Sequence, residues 1–84
     1  MVLSDDAVLI YVLKESGVRG HLTTGSLERR AGGALDVFDA RGDRIEYLSG
    51  KRIRSWCVVD GEGQPLDGWR EILPEDLSKI LRDS

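Results

Sequence analysis

The stretch 34–60, ALDVFDARGDRIEYLSGKRIRSWCVVD, restricts the fold of this chain more than any other part. Three runs rich in Val, Ile, Phe, Tyr and Trp are separated by the turn-forming pairs Arg41-Gly42 and Ser49-Gly50. Runs of this kind between glycine-containing turns read as antiparallel strands. A three-stranded meander is therefore expected, with strands over about 35–39, 44–48 and 52–59.

Side-chain pairing narrows the second hairpin. A strict two-residue loop at Ser49-Gly50 sets Tyr47 against Arg52 and Ile45 against Arg54, mixing apolar and charged residues on each side. An odd loop, Ser49 to Lys51, sets Tyr47 against Ile53, Ile45 against Ser55 and Glu46 against Arg54, and is the better register. One face then carries Ile45, Tyr47, Ile53, Cys57 and Val59, expected in the core. The other carries Arg44, Glu46, Arg52, Arg54 and Trp56, expected outside. The first hairpin stays open: a two-residue Arg41-Gly42 loop pairs Asp39 with Arg44 yet puts Asp36 on the side of Phe38.

Before the meander, Ser4-Asp5-Asp6 suits a helix cap, and Gly17 could close that helix. The run Ala7–Leu13 favours the other reading, because it is apolar throughout and β-branched, as in a strand covered on both faces. Strands are expected over about 7–13 and 18–24, with a short third at Leu27–Arg30 and a flexible joint at Ala31-Gly32-Gly33. After the turn cluster 60–65, residues 66–72 read as an edge strand or as irregular chain held by Trp69. Pro74, the acids Glu75 and Asp76, and the apolar stripe Leu77, Ile80, Leu81 predict a helix over about 74–82. The expected architecture is α+β: one domain with a small antiparallel sheet, or partly closed barrel, of five to six strands and one C-terminal helix.

Eighty-four residues lie near the lower size for a core that folds without disulfides or metal, and leave little room for a deep substrate pocket. One cysteine cannot form an internal disulfide, which fits a reducing cytoplasm. The apolar run is too short to cross a bilayer and follows acids instead of a basic segment, so neither membrane insertion nor a signal peptide is expected. Net charge is −3. Residues 28–54 hold seven Lys/Arg against five Asp/Glu, giving +2, and residues 55–84 hold three against seven, giving −4.

No group of residues makes a reaction centre. His21 has no evident partner, Cys57 lies among apolar neighbours as an inert thiol would, and neither a metal-ligand spacing nor a phosphate-binding glycine loop occurs. Arg41-Gly42-Asp43 spells an integrin-recognition tripeptide but reads as a hairpin turn. An enzyme is not expected, nor a cofactor or metal. The surviving feature, unless Trp56 lies under the C-terminal helix and the arginines merely pair with Glu46 and neighbouring acids, is the outward stripe Arg52, Arg54 and Trp56 beside Arg44, because Arg and Trp are enriched where proteins bind one another. It points to a regulatory, adaptor or inhibitor module binding another protein, or a second copy of itself, through this stripe or an exposed sheet edge. A nucleic-acid reading would use Arg29, Arg30, Arg44, Lys51, Arg52 and Arg54 on phosphates with Tyr47 or Trp56 stacking on bases; the overall acidity opposes it.

Overall fold

The structure, a computed structural model, describes residues 6–81. Seven strands, β1 (Val8–Leu13), β2 (Arg19–Thr23), β3 (Ser26–Arg29), β4 (Leu35–Phe38), β5 (Arg44–Leu48), β6 (Ile53–Val59) and β7 (Pro65–Glu71), precede a 3₁₀ turn at Pro74–Asp76 and a short helix α1 (Leu77–Ile80). They form two antiparallel sheets, ordered β2-β1-β6-β7 and β3-β4-β5, and these do not close into a barrel. The α+β outline expected from the sequence holds, with seven strands in place of five or six. The cap proposed at Ser4-Asp5 and the helix end at residue 82 fall outside the described residues.

Strand β1 shows why its sequence is apolar throughout. Leu9 and, in part, Tyr11 and Leu13 pack toward the three-stranded sheet, in a core with Leu27, Leu35, Val37, Leu48, Ile53, Trp56 and Val58. Ile10 and Val12 point the other way and pack with Cys57, Val59 and Ile80 of α1. The four-stranded sheet is thus the middle of three layers, and its central strands need apolar residues at both parities.

The meander expected over 34–60 is corrected at its second turn. Strand β4 pairs with β5, but β6 pairs with β1 and β7, so the three-stranded meander is β3-β4-β5. At Ser49-Gly50 the chain crosses from one sheet to the other: Ser49 O accepts hydrogen bonds from Arg52 N (2.9 Å) and Ile53 N (3.3 Å). Gly50 is required by close approach, since a Cβ there would sit 1.9 Å from Gly32 O. A glycine that suggests a hairpin locally is used here for backbone contact between loops. The first turn is a three-residue loop, with Asp39 N donating to Asp43 O (2.9 Å) and Asp39 Oδ1 accepting from Arg41 N and Asp43 N. Asp60 and Gln64 repeat that arrangement, and Gly42 and Gly63 take the positive φ it demands (90° and 79°).

Two bulges set the faces. Leu13 pairs with Ile53 and Val12 with Ser55, leaving Arg54 as an extra residue on β6. The bulge turns Ile53 into the core between the sheets while Ser55, Cys57 and Val59 face the C-terminal segment. Likewise Phe38 pairs with Arg44 and Val37 with Glu46, so Ile45 is extra on β5.

The predicted helix is a 3₁₀ turn followed by a single helical turn, held in place by Asp76. Its carboxylate is fully buried and accepts from Arg54 Nε (2.8 Å), Arg54 Nη2 (2.6 Å) and Ser55 Oγ (2.6 Å), while Ser55 Oγ accepts from Leu73 N (3.0 Å). Asp76 is therefore an anchor, where the sequence suggested only complementarity to the helix dipole. Ile80 is buried and Leu81 partly so, whereas Leu77, placed in the stripe, is 50% exposed.

Gly50→Ala forces the two loops apart and should cost about 1–3 kcal/mol in denaturant unfolding. The Asp76 carboxyl is lowered from 3.8 to about 2, chiefly by the Arg54 and then the Ser55 hydrogen bonds. Its contribution is complete above the ordinary carboxylate range and lost as pH falls through 3.8 toward 2, so Tm should drop steeply across that window. Asp76→Asn should lower Tm at neutral pH by roughly 10 °C, by leaving Arg54 without its partner, and should flatten that acid slope.

Candidate interaction surface

The four residues singled out as a binding stripe are dispersed by the fold. Trp56 is in the core at 3% exposure, tilted against Trp69 with ring centroids 6.4 Å apart. It faces the three-stranded sheet, because β6 runs through the middle of the larger sheet and has no open face. Arg54 is committed to Asp76. Arg44 lies on the outer side of the small sheet, 3.4 Å from Asp36. The shielded Asp36 carboxylate also pairs with Arg30 Nε at 2.5 Å, and this contact above all holds its pKa below the usual range. Arg30 in turn reaches Glu28 at 2.7 Å.

The residues assigned to the opposite face also divide. Ile53, Cys57 and Val59 are buried as expected, but Ile45 and Tyr47 are 43% and 45% exposed. Tyr47 stands beside Asp36 on the outer face of the small sheet, and the bulge leaves Ile45 unpaired, so neither side chain reaches the core between the sheets.

Arg52 alone of the four lies free at the surface, and the fold gives it new neighbours. With Lys51, Leu13, Glu15 and Ser16 it lines an open depression of about 350 Å³ where the β1–β2 turn meets the crossing loop. Lys14 N donates to Arg52 O (2.7 Å), tying the two segments together, and Lys51 N donates to Ser49 Oγ (3.2 Å). Gly17 N donates to Leu13 O (2.9 Å), which closes the turn beneath. Among the described residues, neither Lys51 nor Arg52 has a carboxylate within 4.0 Å. The depression thus combines an apolar patch with two uncompensated cations, and Glu15 as its one acid. Sequence reading found Arg52 but not Leu13, Glu15 or Ser16, because nearly forty positions separate the two segments and only the β1–β6 pairing joins them.

A catalytic dyad of His21 and Cys57 has no geometric basis. Both pair with Ile10, on opposite sides of β1, so their strands are two spacings apart, about 10 Å. Burial also pushes the Cys57 thiol pKa up, away from the reactive thiolate. Among the described residues no three His, Cys, Asp or Glu side chains group as a metal site requires, and no helix is long and apolar enough to cross a membrane.

The buried Trp56 and the exposed Arg52 predict a sharp contrast in stability. Trp56→Ala should cost about 3–5 kcal/mol in denaturant unfolding, as core aromatic truncations do, whereas Arg52→Ala should leave the midpoint essentially unchanged.

Compared with protein-family models, with curated proteins and with solved structures, the chain finds no match in any of the three.

Proposed function

We propose that this protein is a non-catalytic interaction module that binds an acidic segment of another protein at the Lys51/Arg52 depression. The observation that carries this reading is the pair of uncompensated cations beside Leu13 on a chain whose net charge is −3. Opposite charge steers encounter, and the apolar patch adds contact that salt does not screen. Arg44 and the exposed β5 side chains Ile45 and Tyr47 form a separate surface that a larger partner could also cover. A second copy is a variant of the same reading, because residues 55–84 carry a net −4. Nucleic acid is disfavoured by the overall negative charge. The single cysteine suits a reducing compartment such as the cytoplasm.

The test is a titration with a leucine-containing oligoglutamate peptide, followed by amide chemical shifts at low salt. Shifts should concentrate at residues 13–16 and 49–53, and the double reversal Lys51→Glu/Arg52→Glu should weaken binding at least about tenfold, or 1.4 kcal/mol, with Tm unchanged. Shifts scattered over the surface, or stronger binding of a single-stranded oligonucleotide than of the peptide, would contradict the reading. Light scattering across a concentration series identifies the second-copy variant.

A further inference from the structure

A second cavity, of about 220 Å³, opens between the sheets at the end of β3, and it shares no residue with the Lys51/Arg52 depression. Two cross-strand pairs build it. In the small sheet Arg29 stands beside Leu35, and in the large sheet Glu71 stands beside Trp56. Leu35 and Trp56 are buried and form an apolar floor, while Arg29 and Glu71 are exposed at the walls.

The Arg29 guanidinium is held before any ligand arrives. It lies 4.6 Å from the Trp69 ring centroid and 5.4 Å from that of Trp56, and it donates to the Gly68 carbonyl. Gly68 is presented by an irregular stretch of β7, where four residues, 66–69, stand opposite the single residue Val58. This arrangement occupies one donor of the guanidinium and leaves further N–H groups free. Its neighbour Arg30 differs, being neutralised by Glu28 and Asp36.

Neither charged wall is satisfied within the protein. Among the described residues Arg29 has no carboxylate within 4.0 Å, and the Glu71 side chain makes no hydrogen bond or ion pair. The two line the same small cleft without closing a bridge across it. An opposed cation and anion over an apolar floor match a ligand that carries both charges and a short apolar group. Clefts for drug-sized molecules run about 300–1,000 Å³, so the occupant here is the size of a single residue.

We propose that this cleft binds a free α-amino acid with an apolar side chain, its carboxylate on Arg29, its ammonium on Glu71 and its side chain over Leu35 and Trp56. An Arg fork pairs well with a planar carboxylate, and the ammonium gains from both Glu71 and the nearby indole.

Trp56 and Trp69 are the only tryptophans in the chain and both contact Arg29, so intrinsic fluorescence reports on this site directly. Leucine should produce a saturable change below about 10 mM. N-acetyl-leucine, which lacks the ammonium, and leucinamide, which lacks the carboxylate, should each bind at least about tenfold more weakly. Glu71→Gln, at an exposed position, should reduce leucine affinity to that of N-acetyl-leucine without changing N-acetyl-leucine binding or Tm. Absence of a saturable leucine response would overturn the proposal, as would a capped analogue that loses less than about tenfold.

Discussion

Strand β6 has no solvent face, and most of the molecule is arranged to satisfy that constraint. Six of its seven residues are buried, with Arg54 the exception. Its edges are taken by β1 and β7, one face is covered by the three-stranded sheet and the other by the C-terminal segment. A strand enclosed in this way cannot also be the third member of a meander with β5, because that edge is already occupied by β1. The crossing at Ser49–Arg52 follows.

The C-terminal layer depends on polar chemistry more than on area. Its apolar contribution to the core is Ile80 with parts of Ile72 and Leu81, too little for one helical turn to dock by itself. The bulge at Arg54 turns that guanidinium toward Asp76, and Ser55 bonds both the carboxylate and the chain entering the 3₁₀ turn. The lowered Asp76 pKa records a net gain from these contacts, which hold the segment in place. The same bulge reverses the parity of Ile53, so one inserted residue both completes the inner core and supplies the anchor for the outer layer.

Local signals in the sequence located the elements, and long-range pairing decided what they face. The strand assigned to residues 7–13 is β1, legible because a doubly covered strand shows no polar alternation. The strand starting at residue 44 and the positions of the turns at 39–43 and 60–64 are equally legible from Gly and Asp within a few positions, but the three-residue length of the first loop is not, since the sequence leaves that hairpin's register open. Trp56 is different, because a meander leaves alternate residues open and the enclosed β6 does not. Partnership between β1 and β6 lies more than forty positions away, and no local pattern encodes it. The same separation hides the Lys51/Arg52 depression, which reads locally as no more than two adjacent cations, and the cleft between Arg29 and Glu71.

Two surface features carry the functional readings: the cations Lys51 and Arg52 beside Leu13, and Arg29 and Glu71 over a buried indole. Both positions are consequences of β6 lying against β1, which joins the β1–β2 turn to the crossing loop and faces Trp56 toward the small sheet. Cross-strand nuclear Overhauser contacts test that pairing most directly. The account predicts backbone contacts between Ile10 and Cys57 and between Tyr11 and Trp56, with none between β5 and β6. Backbone contacts between Tyr47 and Ile53, together with the absence of those from β1 to β6, would contradict it.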